Sequence, residues 1–233
     1  MQIRRSNERG HFENDWLNSF HTFSFADYFD RQHMHFHDLR VINEDVVQPS
    51  AGFPTHGHRD MEIITYVVEG AVAHKDSMGN AEQIKAGEVQ VMSAGRGVLH
   101  SEFNPDAKKP LKLLQIWVLP NREGLAPTYQ QREFSRVSKT NKLCLVAAPN
   151  GGDGALRINQ DVRLYASILE TNQRLVFPVQ NKRAVWLQMV RGQLEINGQI
   201  IGDGDGVAIE ESGELRLSAK QESEFLLFDL VKI

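Results

Sequence analysis

The chain has 233 residues, 41% hydrophobic and 24% charged, an ordinary globular composition and enough length for one large domain or two small ones. Its 26 basic and 30 acidic residues leave a formal net charge of -4 with no basic patch, which argues against direct binding to nucleic acid. The single cysteine, Cys144, excludes an intrachain disulfide, and in the run Leu143-Cys144-Leu145-Val146 it reads as a small buried hydrophobe.

The start, Met1-Gln2-Ile3-Arg4-Arg5-Ser6, leads into no apolar signal region, and no stretch has the length of a membrane span. A cytoplasmic, soluble protein without a membrane partner is expected. Residues 11–30 are rich in aromatics (Phe12, Trp16, Phe20, Phe23, Phe25, Tyr28, Phe29) and read as a packing arm. From Leu39, short β-rich runs alternate with turns. The runs are Leu39 to Val47, Glu62 to Val68, Val72 to His74, Val89 to Met92 and Leu111 to Leu119. Asp76-Ser77-Met78-Gly79-Asn80 predicts a hairpin turn around Gly79. Gln130 to Phe134 breaks the pattern and is expected to be a short helix or a linker.

The second half repeats the style, with predicted strands at Leu143 to Ala147, Val162 to Ile168, Ala184 to Val190, Gln193 to Ile196, Gly206 to Ile209 and Glu224 to Leu230. Val190-Arg191-Gly192 echoes Val68-Glu69-Gly70, and Gly204-Asp205-Gly206-Val207 echoes Ala86-Gly87-Glu88-Val89. Short strands with glycine turns and a weak internal repeat predict an all-β protein of two related barrels, residues 1–135 and 136–233.

All nine histidines fall at or before residue 100. Only the first half can therefore build an imidazole-rich metal site from its own residues. In extended backbone, residues i and i+2 face the same side, so His56 and His58 aim together, as do His100 and Glu102. Adjacent strands would bring these four side chains to one point. Neutral imidazoles with a carboxylate suit Fe, Mn, Co, Ni or Zn. Spacing leaves the acidic ligand open, because Glu62 also stands an even number of residues from a histidine. His33, His35 and His37 share a face too, but no carboxylate partner accompanies them, and they read as a surface cluster.

Gly52…His56-x-His58-x-x-x-Glu62…Gly70 and Gly87…Gly95…His100-x-x-x-Asn104 resemble the two motifs of the cupin superfamily. More closely, the sequence resembles the pirin family of bicupins, which includes bacterial quercetinases. The resemblance rests on segments His21 to Phe25, Leu39 to Asp45, His56 to Glu62, Asp76 to Asn80, Met92 to Gly97, His100 to Asn104 and Leu114 to Trp117. It covers nearly all of the first half and is diffuse in the second, chiefly Leu226 to Leu230. One departure is Gly57, where pirins usually have proline between the first two histidines.

The resemblance implies two tandem cupin-type β-barrels (double-stranded β-helices), only the N-terminal one holding a metal. It selects His56, His58, His100 and Glu102 as ligands and iron as the native metal. It leaves Glu62 behind the ligands or as the alternative to Glu102. It implies a dioxygenase that takes a small aromatic substrate such as quercetin together with dioxygen, with Glu102 or Glu62 as the proton acceptor. Phe53, Met92 and Phe103 are candidates for an apolar lining, with plain barrel core as the competing reading. The alternative function is a metal- or redox-responsive regulatory protein acting through protein partners, with another cupin reaction such as isomerisation as a third.

Overall fold

The computed structural model describes residues 1–233. They divide into two compact units, one of residues 10–133 and 156–160, the other of residues 1–9, 134–155 and 161–233. The sequence predicts one boundary, at 135, with residues 1–9 in the first barrel. In the structure β1 (Gln2–Arg4) instead pairs with a strand of the C-terminal unit.

The N-terminal unit holds eleven successive strands: β2 (Gly10–Glu13), β3 (Leu17–His21), β4 (Leu39–Val47), β5 (Gly52–His58), β6 (Glu62–Glu69), β7 (Ala71–Asp76), β8 (Ala81–Lys85), β9 (Glu88–Ser93), β10 (Val98–Phe103), β11 (Leu111–Val118) and β12 (Thr128–Glu133). They form a seven-stranded sheet, β12-β9-β6-β11-β4-β3-β2, and a four-stranded sheet, β5-β10-β7-β8. Every pairing is antiparallel, and the central strand β6 is buried from Glu62 to Val68, on both faces of the larger sheet. Leu17, Val47, Val67, Val72, Ile84, Leu111 and Leu113 pack at one end of the interior. Ile63, Met92, Ala94 and Val98 pack at the other.

Gly70 and Gly79 take positive φ (79° and 97°) at the ends of β6 and β7, which is why glycine punctuates these turns. The expected helix or linker at 130–134 is instead mostly strand β12, paired with β9 from Thr128↔Ser93 to Glu133↔Glu88. Its polar sequence fits an edge strand, one side of which stays in solvent. A one-turn helix, α1 (Arg136–Lys139), follows, capped by Ser135.

The C-terminal unit adds β13 (Cys144–Ala148). The short β14 (Leu156–Arg157) belongs to the N-terminal unit. Then come β15 (Val162–Leu169), β16 (Arg174–Val179), β17 (Arg183–Arg191), β18 (Leu194–Ile196), β19 (Gln199–Ile201), β20 (Gly206–Ile209), β21 (Gly213–Ala219) and β22 (Ser223–Val231). Their order repeats the first unit: β1-β20-β17-β22-β15-β13 against β16-β21-β18-β19. The chain is thus a tandem cupin, each unit a pair of facing sheets rather than one continuous ladder. β16, β19 and β21 lie outside the strands that the sequence predicts. Cys144 is half-buried rather than buried. No helix is long and apolar enough to cross a membrane.

In the first unit β5 and β10 carry the paired histidines. In the second, β16 and β21 hold those places with Leu175, Phe177, Leu215 and Leu217, which join a core of Leu187, Phe225 and Leu227.

Candidate metal centre

β5 and β10 run antiparallel with His56 directly opposite His100 and His58 opposite Val98. The register then slips, so that Glu102 faces Phe53. Pro54 sits in the slip, where a residue without an N–H interrupts the ladder at least cost. Gly52 closes the turn-ward end, and a Cβ there would lie 2.2 Å from the Glu102 carbonyl oxygen. The two strands can approach this closely only because position 52 has no side chain. An added Cβ at Gly57 meets the tip of Leu99 at 3.2 Å and, in ordinary contact, the Val98 carbonyl oxygen at 3.8 Å.

The three imidazoles converge. Ring centroids are 4.4 Å apart for His56–His100, 4.8 Å for His56–His58 and 4.9 Å for His58–His100. Ligand atoms of these three lie within 4.8 Å of one another, as do those of His74, His100 and Glu102. His100 is the member common to both groups.

Hydrogen bonds fix which atoms are free. The Nδ1 of His56 lies 2.8 Å from the Pro54 carbonyl oxygen. A carbonyl only accepts, so Nδ1 carries the proton and Nε2 presents a lone pair. That lone pair faces Nε2 of His100 at 3.0 Å. Two nitrogens bound to one ion at about 2.1 Å, at right angles, stand about 3.0 Å apart. Burial, reinforced by the neighbouring His56, lowers the His58 pKa to about 4. Burial and the adjacent His56, His58 and His74 lower that of His100 to about 3. Both rings are therefore neutral at physiological pH, the form that binds metal. The donor set fits a divalent transition ion.

His74, which the sequence reading did not single out, sits opposite Glu102 on β7. Its Nε2 lies 3.1 Å from the Asp76 carboxylate, and the Gln90 amide donates to its Nδ1 at 3.3 Å. With both nitrogens engaged it has no lone pair to spare, and it packs behind His100 at 5.3 Å between ring centroids.

Glu102 is buried, and its carboxylate accepts from Gln115 Nε2 at 2.9 Å and Thr65 Oγ1 at 3.4 Å. Burial, aided by the charge of Asp45, raises its pKa to about 7 despite those two donors. Glu62 is elsewhere. On β6 it accepts from Ser93 Oγ and from the backbone N–H and side chain of Asn159, and it belongs to neither convergent group. His33 is held by Asp30 and His35 by the His37 carbonyl, and none of the three joins a convergent group, as the surface reading anticipates.

A cavity of about 590 Å³ opens onto His56, His58 and Glu102. Phe25, Phe53 and Trp117 give it apolar walls. Trp117 stands edge-on to His58, with centroids 5.0 Å apart, and to Phe25 at 5.3 Å. Of the three lining candidates only Phe53 takes part. Met92 is fully buried among Ile63, Ala94 and Val98, and Phe103 points outward, 39% exposed. The aromatic arm is the β2–β3 hairpin and its following loop, and it forms the outer wall of this cavity.

Two cupin units, the first with convergent imidazoles beside a cavity, define a bicupin with a candidate metal centre in its N-terminal half. The chain belongs to the pirin family: residues 2–118 match the pirin model, and residues 145–230 match that of the quercetinase C-terminal cupin domain. It is 48% identical over 230 residues to a protein of Escherichia coli (strain K12) named quercetin 2,3-dioxygenase, covering 99% of this chain and 98% of that one. A putative quercetin 2,3-dioxygenase of Pasteurella multocida is 46% identical over 235 residues, covering 99% and 100%. The crystal structure of the bacterial pirin YhhW from Escherichia coli in complex with nickel(II) matches with a TM-score of 0.95 and 46% identity, covering 100% and 99% of the two chains.

Proposed function

We propose that this protein is a metal-dependent dioxygenase of the pirin type that cleaves a flavonol such as quercetin with dioxygen. The observation that carries the reading is the convergence of three imidazoles, with Glu102 beside them, at an apolar cavity of about 590 Å³ that His56, His58 and Glu102 line. That volume lies within the range of about 300–1,000 Å³ usual for small-molecule sites. His56, His58, His100 and Glu102 are the assigned ligands of one divalent ion. Iron is the proposed native metal, and zinc, manganese, cobalt and nickel suit the same donors. When bound, such an ion supplies Lewis-acid activation of a ring hydroxyl and open positions for small ligands.

The chain's own residues do the remaining work. Phe25, Phe53 and Trp117 receive the aromatic rings and keep water from the reacting carbons. Glu102, buried and held by Gln115 and Thr65, takes the proton of the hydroxyl that approaches the centre. Both atoms of dioxygen enter the ring-opened product, and one ring carbon leaves as carbon monoxide.

The test combines metal analysis with oxygen uptake. Purified wild-type protein is expected to hold one transition-metal ion per chain and to consume oxygen with quercetin. His56→Ala and Glu102→Ala are expected to lose both properties. Metal-loaded wild type that takes up no oxygen with quercetin overturns the reaction. Metal kept in Glu102→Ala but lost in Glu62→Ala overturns the ligand assignment.

A further inference from the structure

The inner face of the seven-stranded sheet carries a row of polar side chains through an otherwise apolar interior. His21, Asn43, Gln115, Thr65 and Gln90 are successive register partners across β3, β4, β11, β6 and β9. Directly opposed residues of neighbouring strands share a face, so the five form one band. Gln115 and Thr65 hold Glu102, and Gln90 holds His74. Toward its other end the band opens on the cavity at Asn43.

Asn43 is 3% exposed and lines the cavity, and its Oδ1 has no hydrogen-bond partner. Asp45, two residues along the same strand and therefore on the same face, is 4% exposed and also lines the cavity. Ser19 donates to its Oδ1 alone. A buried amide oxygen without a donor and a buried carboxylate half satisfied both cost folding free energy. Their position on the cavity wall gives that cost a purpose.

We infer that Asn43 and Asp45 form a polar subsite for a second hydroxyl group of the substrate, separate from the hydroxyl at the metal centre, so that the pocket selects polyhydroxylated aromatics. The identity of the aromatic rests on the dioxygenase reading, whereas the subsite rests on the cavity wall. Hydroxyl groups suit the pair because each donates one proton: the second hydroxyl donates to the oxygen of Asp45 that Ser19 leaves open, and a hydroxyl adjacent to it, as in a catechol, donates to Asn43 Oδ1. An ether cannot donate to the carboxylate, and an anionic substituent meets its charge.

Binding without turnover tests this. The nickel(II)-loaded full chain is titrated without oxygen by quenching of tryptophan fluorescence, with quercetin and with 3-hydroxyflavone, which has a single hydroxyl. Quercetin is expected to bind at least about tenfold more tightly, since a hydrogen bond to a charged group is worth that much. Asp45→Asn and Asn43→Leu should bring quercetin down to the affinity of 3-hydroxyflavone and leave the latter unchanged. Ser19→Ala, which removes only the support of Asp45, should fall between. Equal affinities in wild type, or variants that weaken both ligands alike, overturn the subsite. Discrimination without oxygen uptake leaves the subsite standing and removes the dioxygenase reading, and uptake without discrimination does the reverse.

Discussion

Glu102→Gln should change how the stability of the metal-free protein depends on pH, by an amount set by four groups around the site. Between about pH 5 and pH 6, His58 and His100 are neutral in the folded chain, with pKa values of about 4 and about 3. Their unfolded counterparts, at 6.5, are protonated. The unfolded state thus holds two more protons on these residues, which by itself makes stability rise with pH. Glu102, at about 7, and Asp45, at about 6, do the opposite. They stay protonated when folded and ionise when unfolded, so their stabilising contribution is present at low pH and is lost as pH rises through the folded values. The two pairs nearly cancel, and the wild-type site leaves stability level across this window. Glutamine at 102 removes one of the folded-state protons. Stability should then rise by about 1.4 kcal/mol per pH unit more steeply than in wild type. Between about pH 6.5 and 7.5, where the unfolded imidazoles have shed their protons and folded Glu102 still holds one, the wild type should lose stability and the variant should not; above about pH 8 both should be level. Urea unfolding of both proteins, stripped of metal, at pH 5, 6, 7 and 8 measures the difference. Parallel profiles for the two proteins would refute the opposed titration of the carboxylates and imidazoles.

Gly52→Ala places a Cβ 2.2 Å from the Glu102 carbonyl oxygen and 2.5 Å from Phe103 Cα, so β10 must retreat by nearly an ångström. A loss of about 1–3 kcal/mol in urea unfolding is expected, with weaker metal binding, because His100 and Glu102 move with the strand; unchanged values for both would show that β5 and β10 are not clamped at this glycine. His74→Leu strips Gln90 and Asp76 of a partner and should cost about 1–3 kcal/mol while the chain still binds its ion. Abolished metal binding in that variant, with the fold intact by circular dichroism, would make His74 a ligand.

Much of the architecture is legible in the linear sequence because it depends on local rules. β-rich runs bounded by glycine turns mark β4, β6, β9, β11 and most of the second unit's longer strands. The confinement of all nine histidines to the first half tells which unit can build an imidazole site. The i, i+2 spacing of His56 with His58, and of His100 with Glu102, tells which side chains share a face. Gln130 to Glu133 misleads because an edge strand with a wet face has no apolar alternation to display.

Tertiary structure decides what parity cannot. Glu62 and Glu102 are equivalent by spacing, and only the pairing of β10 with β5, across 44 residues from His56 to His100, separates them. Glu62 lies on β6, where Ser93 and Asn159 claim it. The polar band from His21 to Gln90 consists of residues that look like isolated interruptions in apolar strands. They become one feature when five strands are set in register, and strand register is fixed by side-chain packing between segments distant in the chain. The sequence states which faces are chemical; the order of the strands states which of those faces meet.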